Sequence, residues 1–204
     1  MSRLYAALVH HPVLDKQGQE VATAVTNLDV HDLARLARTY GLGAAYIVTP
    51  VEAQRRLVRG ILDHWLEGPG RKRVPARAEA MARLRVVPDV ATARAEVAAA
   101  EGRAPKVWAT AARDVPGVDV VPGWGAWSEA RAAGDPGLLL FGTGHGLAPG
   151  LVASCDGLLP PIRAGGYNHL SVRAAIAIAF DRLVGERGPE SPADPWALPA
   201  PPRV

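Results

Sequence analysis

Residues 138–147 read LLLFGTGHGL, an apolar run followed by a loop with three alternating glycines. Four consecutive apolar residues bounded by turn-forming residues predict a buried strand of a parallel sheet. Gly142, Gly144 and Gly146 permit positive φ and place no Cβ over the main chain, so a ligand can lie directly on the backbone of this loop. Taken alone, the segment favours a tight strand-to-helix connection, because it lacks both the G-x-G-x-x-G spacing and a P-loop lysine.

A second unusual segment follows. Residues 160–173 read PPIRAGGYNHLSVR, a loop rich in proline and glycine that leads into an Ala-rich helix predicted from about residue 169 to 184. In this order the two segments resemble the S-adenosylmethionine site of SPOUT-class RNA methyltransferases, and the run ATAAR at 109–113 resembles a further loop of that site. The resemblance implies these cofactor contacts: Thr110, Ala111, Phe141, Gly142, Thr143, Gly144, Gly146, Leu159, Ile162, Tyr167, Asn168, His169 and Leu170.

The same resemblance indicates the catalytic residues. SPOUT enzymes have an asparagine followed within two helical turns by an active-site arginine, and residues 27–35 offer Asn27 and Arg35. A solvated helix face with an Asp32–Arg35 ion pair is the alternative interpretation of this segment. The polar groups that could orient phosphate, ribose or base are Arg35, Asn168, Ser171 and Arg173. For the final helix the alternative is purely structural, with Asn168 as the cap and Arg173 solvated.

The order of elements predicts an α/β fold, a parallel sheet with helices on both faces. Strands are predicted at 4–10, 21–25, 44–49, 84–87, 106–113, 138–141 and 156–159, and they alternate with helices. Asn27 or Asp29 is predicted to cap the first helix, which ends near Tyr40. The next helix is predicted to run to about Leu66, with Leu57, Ile61, Leu62 and Trp65 on its apolar face. The resemblance adds a deep C-terminal trefoil knot.

Composition sets broad limits on the partners. The chain has 204 residues and a formal net charge of +3, which permits a nucleic-acid partner without requiring one. Residues 71–73 read RKR and are predicted to be a flexible basic loop, either solvated or in contact with phosphates. With a single cysteine, Cys155, no internal disulfide is expected, and no metal site is expected either. The sequence shows no signal peptide or membrane span, which predicts a soluble, cytoplasmic protein.

These observations favour one function over two others. Residues 1–185 are predicted to form a single SPOUT-like domain, and residues 186–204 a Pro-rich, disordered tail. The resemblance implies a homodimer that transfers a methyl group from S-adenosylmethionine to tRNA or rRNA, at a base nitrogen or a ribose 2′-hydroxyl. One alternative is a non-catalytic module of the same fold that binds S-adenosylmethionine or RNA. The other is a flavodoxin-like nucleotide-binding protein, which the segment at 167–173 argues against.

Overall fold

The computed structural model of the chain describes residues 3–112, 115, 118, 120–121, 123–162 and 169–185. Tyr167, Asn168 and the predicted tail at 186–204 lie outside the described residues. The strands within them are β1 (Leu4–Val9), β2 (Val13–Leu14), β3 (Glu20–Val21), β4 (Ala45–Val48), β5 (Leu84–Val87), β6 (Lys106–Ala109), β7 (Gly137–Gly142) and β8 (Gly157–Leu158). The helices are α1 (Asn27–Thr39), α2 (Glu52–Leu66), α3 (Pro69–Arg73), α4 (Pro75–Met81), α5 (Val90–Glu101), α6 (Ala126–Ala132), α7 (Pro149–Ala153) and α8 (Val172–Val184).

The main sheet has six strands in the order β5-β4-β1-β7-β6-β8, and every pair in it is parallel. β1 is central, with Ala7 paired to Tyr46 of β4 on one side and to Leu140 of β7 on the other. Because all six strands run the same way, the loops after their carboxyl ends lie along a single edge of the sheet. β2 and β3 form a separate antiparallel hairpin.

Two apolar cores cover the two faces of the sheet, as predicted. Along β1 the side chains alternate, with Leu4, Ala6 and Leu8 in one core and Tyr5, Ala7 and Val9 in the other, because successive side chains of a strand point to opposite faces. Helices α1, α2, α4, α6 and α8 contribute to the first core, whereas α5 and α7 contribute to the second. None of the helices in the described part of the chain is both long and apolar enough to cross a bilayer.

The start of α1 differs from the prediction. Its N-cap is Thr26, not Asn27 or Asp29. The Thr26 hydroxyl accepts from the backbone N–H of Asp29 at 3.2 Å, and the Asp29 carboxylate accepts in return from the Thr26 N–H at 2.9 Å. This reciprocal capping box satisfies two backbone donors at once, whereas a cap at Asn27 or Asp29 would leave the Thr26 N–H without this acceptor.

The basic segment 71–73 was predicted to be a flexible loop, and this prediction was wrong. These residues are the last three of the short helix α3, which has Pro69 at its first position, where proline is tolerated. Gly70 is buried against α2, since a Cβ added there would meet the Trp65 ring at 2.8 Å. The close approach of Gly70 to Trp65 therefore fixes a segment that its composition alone would assign to a loop.

Other boundaries shift by a turn or less. On α2 the buried positions are Val58 and Leu62, while Leu57 is 52% exposed, so the apolar face is centred one residue later than predicted. The predicted strand at 21–25 is only the two-residue β3, paired with β2 across a turn. Helix α8 begins at Val172 and not near His169, because the Ser171 hydroxyl caps it by accepting from the Ala174 N–H at 3.3 Å.

Candidate functional site

A cavity of about 890 Å³ lies at the edge of the sheet where β6, β7 and β8 end. This volume is within the range of small-molecule sites, roughly 300–1,000 Å³. Its walls come from the loops that follow those strands, from the hairpin β2–β3 and from the first turns of α8. The predicted cofactor residues that line it are Thr110, Ala111, Phe141, Gly142, Thr143, Gly144, Gly146, Ile162, His169 and Leu170.

Leu159 is placed differently from the other predicted cofactor residues. Its side chain is buried in the first core, and it is not among the residues that line the cavity. Its backbone N–H donates to the Ala109 carbonyl at 2.9 Å, which continues the pairing of β8 with β6. Leu159 therefore helps to hold β8 against β6 and does not itself line the cavity. Tyr167 and Asn168 lie outside the described residues, and their predicted contacts remain predictions.

The three loop glycines are required for two different reasons. A Cβ on Gly142 would lie 2.7 Å from the Leu147 backbone nitrogen, and one on Gly144 would lie 2.8 Å from the Leu14 carbonyl oxygen. Both positions thus let the loop pack on the protein itself. Gly146 has a φ of +109° and open space where its Cβ would be, so only here does a missing side chain leave free backbone. The prediction that a ligand can lie directly on the backbone of this loop therefore holds at Gly146, and not at Gly142 or Gly144.

The hairpin β2–β3 holds the glycine loop in place. The Leu14 carbonyl accepts from the His145 N–H at 2.8 Å, and the Leu14 N–H donates to the Gly146 carbonyl at 2.9 Å. Leu14 also lines the cavity. Residues near Leu14 carried no recognisable motif, so sequence reasoning missed this wall of the site.

A chain of side-chain hydrogen bonds connects the glycine loop to the end of β1. The Thr143 hydroxyl donates to the Val9 carbonyl at 3.1 Å and also contacts the Thr23 hydroxyl. Thr23 Oγ1 lies 3.0 Å from His10 Nδ1, and its hydroxyl lies within 3.5 Å of the His10 carbonyl oxygen, to which it donates. Nε2 of His10 is buried and has no partner among the described residues. Burial lowers the pKa of His10, and the nearby Asp29 opposes that shift.

A second, smaller cavity of about 440 Å³ adjoins the first and contains three of the predicted catalytic residues, Arg35, Ser171 and Arg173. It lies between α1 and α8, and Ser171 lines both cavities. This juxtaposition joins the two stretches that the sequence analysis singled out separately. Asn168, the fourth predicted residue, lies outside the described part of the chain.

Arg173 is neither solvated nor free. Its guanidinium lies 3.4 Å from Asp29 Oδ1 and 3.1 Å from Asp32 Oδ2, so α8 is tied to α1 by two ion pairs. The Asp29 side chain is only 7% exposed. The Asp32–Arg35 pair considered from the sequence is replaced by Asp32–Arg173, while Arg35 stays exposed in the second cavity.

The tryptophans of residues 124–127 divide between two roles. Trp127 is buried in the first core. Trp124 is half-buried and lines the main cavity, with the Arg182 guanidinium 5.0 Å from its ring centroid. The glycines on either side of Trp124 are the sequence signal that could have marked it as a loop residue rather than a core residue.

A family model described as SAM-dependent RNA methyltransferase matches residues 3–185. The chain belongs to this family. Its cofactor is accordingly S-adenosylmethionine, the SPOUT resemblance is confirmed, and the flavodoxin-like alternative is wrong. Ten of the thirteen predicted cofactor residues line one cavity, in loops that supply apolar walls together with open backbone at Gly146, and this surface fits the cofactor.

Three relatives are similar to this chain in sequence, and two of them are much longer than it. Two proteins named tRNA (guanine-N(1)-)-methyltransferase, from Nitratidesulfovibrio vulgaris and Oleidesulfovibrio alaskensis, are 49% identical over 184 residues and 48% identical over 185 residues. These matches cover 90% of this chain but only 42% of each relative, so the chain spans less than half their length. An uncharacterized protein of Aquifex aeolicus is 39% identical over 181 residues, which are 88% of this chain and 87% of that protein.

Solved structures share the fold at low identity. TrmJ from Z. mobilis aligns with a TM-score of 0.57 at 17% identity, covering 94% of this chain and 73% of that one. The SpoU methyltransferase AviRb from Streptomyces viridochromogenes, in complex with AdoMet, aligns with a TM-score of 0.56 at 14% identity, covering 90% of this chain and 57% of that one. Both matches show that this chain has the same fold as these two structures.

Proposed function

We propose that this chain transfers the methyl group of S-adenosylmethionine to tRNA or rRNA, onto a base nitrogen or a ribose 2′-hydroxyl. The observation that carries the proposal is the pair of adjoining cavities that share Ser171. The larger cavity has the volume and the loops suited to the donor, and the smaller one exposes Arg35 beside it. A donor and a polyanionic acceptor could thus meet at the first turn of α8.

When bound, S-adenosylmethionine supplies a methyl group already activated on a sulfonium, so the protein's work is positioning. The loops that carry Thr110 and Gly146 would hold the donor, and Ile162 and Leu170 would cover its apolar parts. Arg35 would orient an RNA phosphate, and Arg173, held by Asp29 and Asp32, would fix the acceptor against the donor. Ser171 is both the cap of α8 and part of the shared wall.

The acceptor nitrogen or hydroxyl must lose one proton during transfer. Among the described residues that line the larger cavity there is no carboxylate, and His145 and His169 are its titratable side chains. Imidazole is the side chain most often used as a general base, so these two histidines or water would accept the proton. The two relatives named for tRNA guanine-N1 methylation favour tRNA, and a base nitrogen of guanine, as the acceptor to test first.

The proposal includes the knot and the dimer that the SPOUT resemblance implies. In support of the knot, α8 follows β8 at the edge of the sheet, yet returns to pack on α1 and β7, where Phe180 meets Phe141 at 5.9 Å between ring centroids. In support of the dimer, Leu28 and Leu170 are large apolar residues left 57% and 45% exposed near α1 and α8. Sedimentation of the purified chain tests the dimer.

The experiment that tests the function combines binding with product mapping. The purified chain is titrated with S-adenosylmethionine in a calorimeter, and is then incubated with methyl-labelled donor and with separated tRNA and rRNA. We expect donor binding and a single labelled nucleoside, whose mass and digestion pattern identify the acceptor atom. Donor binding without label in either RNA would instead establish the alternative, a non-catalytic module of the same fold.

A further inference from the structure

Helices α3 and α4 present a cluster of cations, which we call the α3–α4 basic face: Arg71, Lys72, Arg73 and Arg77. Residues 68–77 contain these four cations and no carboxylate. Arg71, Lys72 and Arg73 are exposed, and none of the four has a carboxylate within ion-pair distance in the described part of the chain. By contrast, Arg38 pairs with Glu79 and Arg103 with Asp135. The four cations of the face are therefore not held in ion pairs, and the carboxylates that flank the segment are Glu67 and Glu79, of which Glu79 pairs with Arg38.

The face is built on rigid supports. Gly70 packs against Trp65, and Arg71 Nη1 donates to the Leu66 carbonyl at 3.4 Å, so α3 is fixed against the end of α2. The Arg77 guanidinium lies 5.4 Å from the centre of the Trp65 ring, as in a cation–π contact. The side chains of Arg71 and Arg77 are thus already restricted in the free protein and would lose less rotational freedom on binding.

Arg77 keeps its charge available despite its contact with His31. Its Nη1 lies 2.8 Å from His31 Nδ1, and because a guanidinium only donates, Nδ1 must accept and the ring proton lies on Nε2. Burial and then the Arg77 charge lower the pKa of His31, which keeps the imidazole neutral. A neutral partner orients the guanidinium without cancelling its charge.

The position of the face connects it to the proposed active site. Helix α4 packs against α1, and one turn beyond His31 on α1 lies Arg35, exposed in the second cavity. Cations without a carboxylate partner among the described residues thus run from α3 through Arg77 to Arg35, beside the cavity that shares Ser171 with the donor site.

We infer that the α3–α4 basic face binds the phosphate backbone of the RNA acceptor, outside the nucleotide that receives the methyl group. The inference rests on the proposed function, because it assigns the acceptor RNA a second contact surface. Phosphate is the partner that the surface favours, because four cations lie within ten residues that contain no acidic residue, and Arg71 and Arg77 are held in place by contacts within the protein.

The test compares two triple variants with the wild-type chain. R71A/K72A/R73A removes the exposed cations of α3. The control, R85A/R94A/R103A, removes three cations on the α5 side of the sheet: Arg85 of β5, Arg94 of α5 and Arg103, which follows α5. RNA affinity is measured over a range of salt concentrations, and donor affinity is measured separately. We expect the slope of log affinity against log salt concentration to be shallower by about two to three units in R71A/K72A/R73A than in wild type. The ratio of wild-type to variant RNA affinity should therefore fall by on the order of tenfold or more between about 50 and 200 mM salt.

The outcomes separate this inference from the proposed function. Donor affinity should stay at the wild-type value in both triple variants, and the control should keep the wild-type salt slope. If wild type binds and methylates RNA but R71A/K72A/R73A keeps the wild-type slope, the face is a solvated surface and only this inference fails. If wild type neither binds nor methylates RNA, the proposed function fails. Binding of wild type to phosphatidylserine vesicles but not to RNA would assign the face to a membrane surface and overturn the inference.

Discussion

Gly144 is the residue whose role changes most between sequence and structure. It has a φ of +59°, and its missing Cβ faces the Leu14 carbonyl of the hairpin, not the ligand side of the loop. The hydrogen bonds of Leu14 to His145 and Gly146 depend on that approach. A side chain at this position would therefore disturb the donor site indirectly, by moving the loop off its support.

We expect Gly144→Val to lower the free energy of unfolding by about 1–3 kcal/mol, through a strained backbone and the clash with Leu14. Donor binding should be lost while the far-UV circular dichroism stays close to wild type. The matched control is Gly150→Ala on α7, where a Cβ meets nothing within 4 Å. Urea denaturation and titration calorimetry give the two quantities, and an unchanged donor affinity in Gly144→Val would show that the loop is only a turn.

Arg173 is held by two carboxylates of α1, and its position is consequently set before any acceptor binds. Arg173→Ala should leave donor affinity near wild type, because the cavity loops supply that contact. We expect methyl transfer to fall by on the order of a hundredfold, as for other well-placed charged groups. Single-turnover methylation at saturating donor is the measurement.

A structural role for Arg173 predicts a different pattern. Loss of two ion pairs alone would lower the free energy of unfolding without slowing methyl transfer at a temperature where the variant is folded. Arg173→Lys retains the charge but not the planar fork that meets Asp29 and Asp32, so its rate should lie between those of wild type and alanine. An alanine variant as fast as wild type would remove Arg173 from the active site.

Among the elements, α1 links the fold to the proposed acceptor site. The Asp29 carboxylate accepts from both the Thr26 N–H and the Thr26 hydroxyl, and its other oxygen meets Arg173. The buried carboxylate thus caps one helix and anchors the first turn of another. Removal of the cap should lower the stability of α1 and shift the position of Arg173.

Thr26→Ala should lower the free energy of unfolding by about 1 kcal/mol, the usual effect of losing a threonine N-cap. Urea denaturation measures the change. Thr39→Ala is the control on the same helix, because Thr39 is exposed in its last turn and alanine has the higher helix propensity. Equal stability of Thr26→Ala and wild type would mean that solvent or Asp29 replaces the cap without loss.

At the scale of the whole molecule, His10 makes stability depend on pH. It is buried where β1 ends, beside the bonds that join Thr23 and Thr143, and burial lowers its pKa from the ordinary value of 6.5. The unfolded chain then binds more protons than the folded chain between the lowered pKa and 6.5. The contribution of His10 to stability is therefore complete above 6.5 and is lost as the pH falls toward the lowered value.

We expect the free energy of unfolding of wild type to decrease as the pH is lowered through this window. His10→Gln keeps a side chain that can hydrogen-bond Thr23 but cannot titrate, so its stability should fall less steeply over the same range. Urea denaturation at a series of pH values measures both slopes. Identical slopes for the two proteins would locate the acid sensitivity in other groups, such as His31, whose pKa is also lowered.

Features that depend on near neighbours in the chain could be predicted from the amino-acid sequence. The apolar run before Gly142 became the buried strand β7, and α1 ends at Thr39 with Tyr40 as its cap, close to the predicted end. Alternation of strands and helices predicted the parallel sheet covered on both faces. The ordered glycine loops, read as a family resemblance, also located the residues that meet in one cavity. Such features follow from periodicity, chain reversal and capping within a few residues.

Contacts between residues far apart in the chain depend on how the elements pack, and no local pattern predicted them. The tertiary structure set the strand order, paired Arg173 with Asp29 and Asp32, and placed Leu14 under Gly144. It also turned the basic segment at 71–73 from a loop into a helix, by packing Gly70 on Trp65. Local propensity differs by fractions of a kcal/mol between such alternatives, whereas burial of a large side chain contributes about 1.5–3 kcal/mol, so packing determines the outcome.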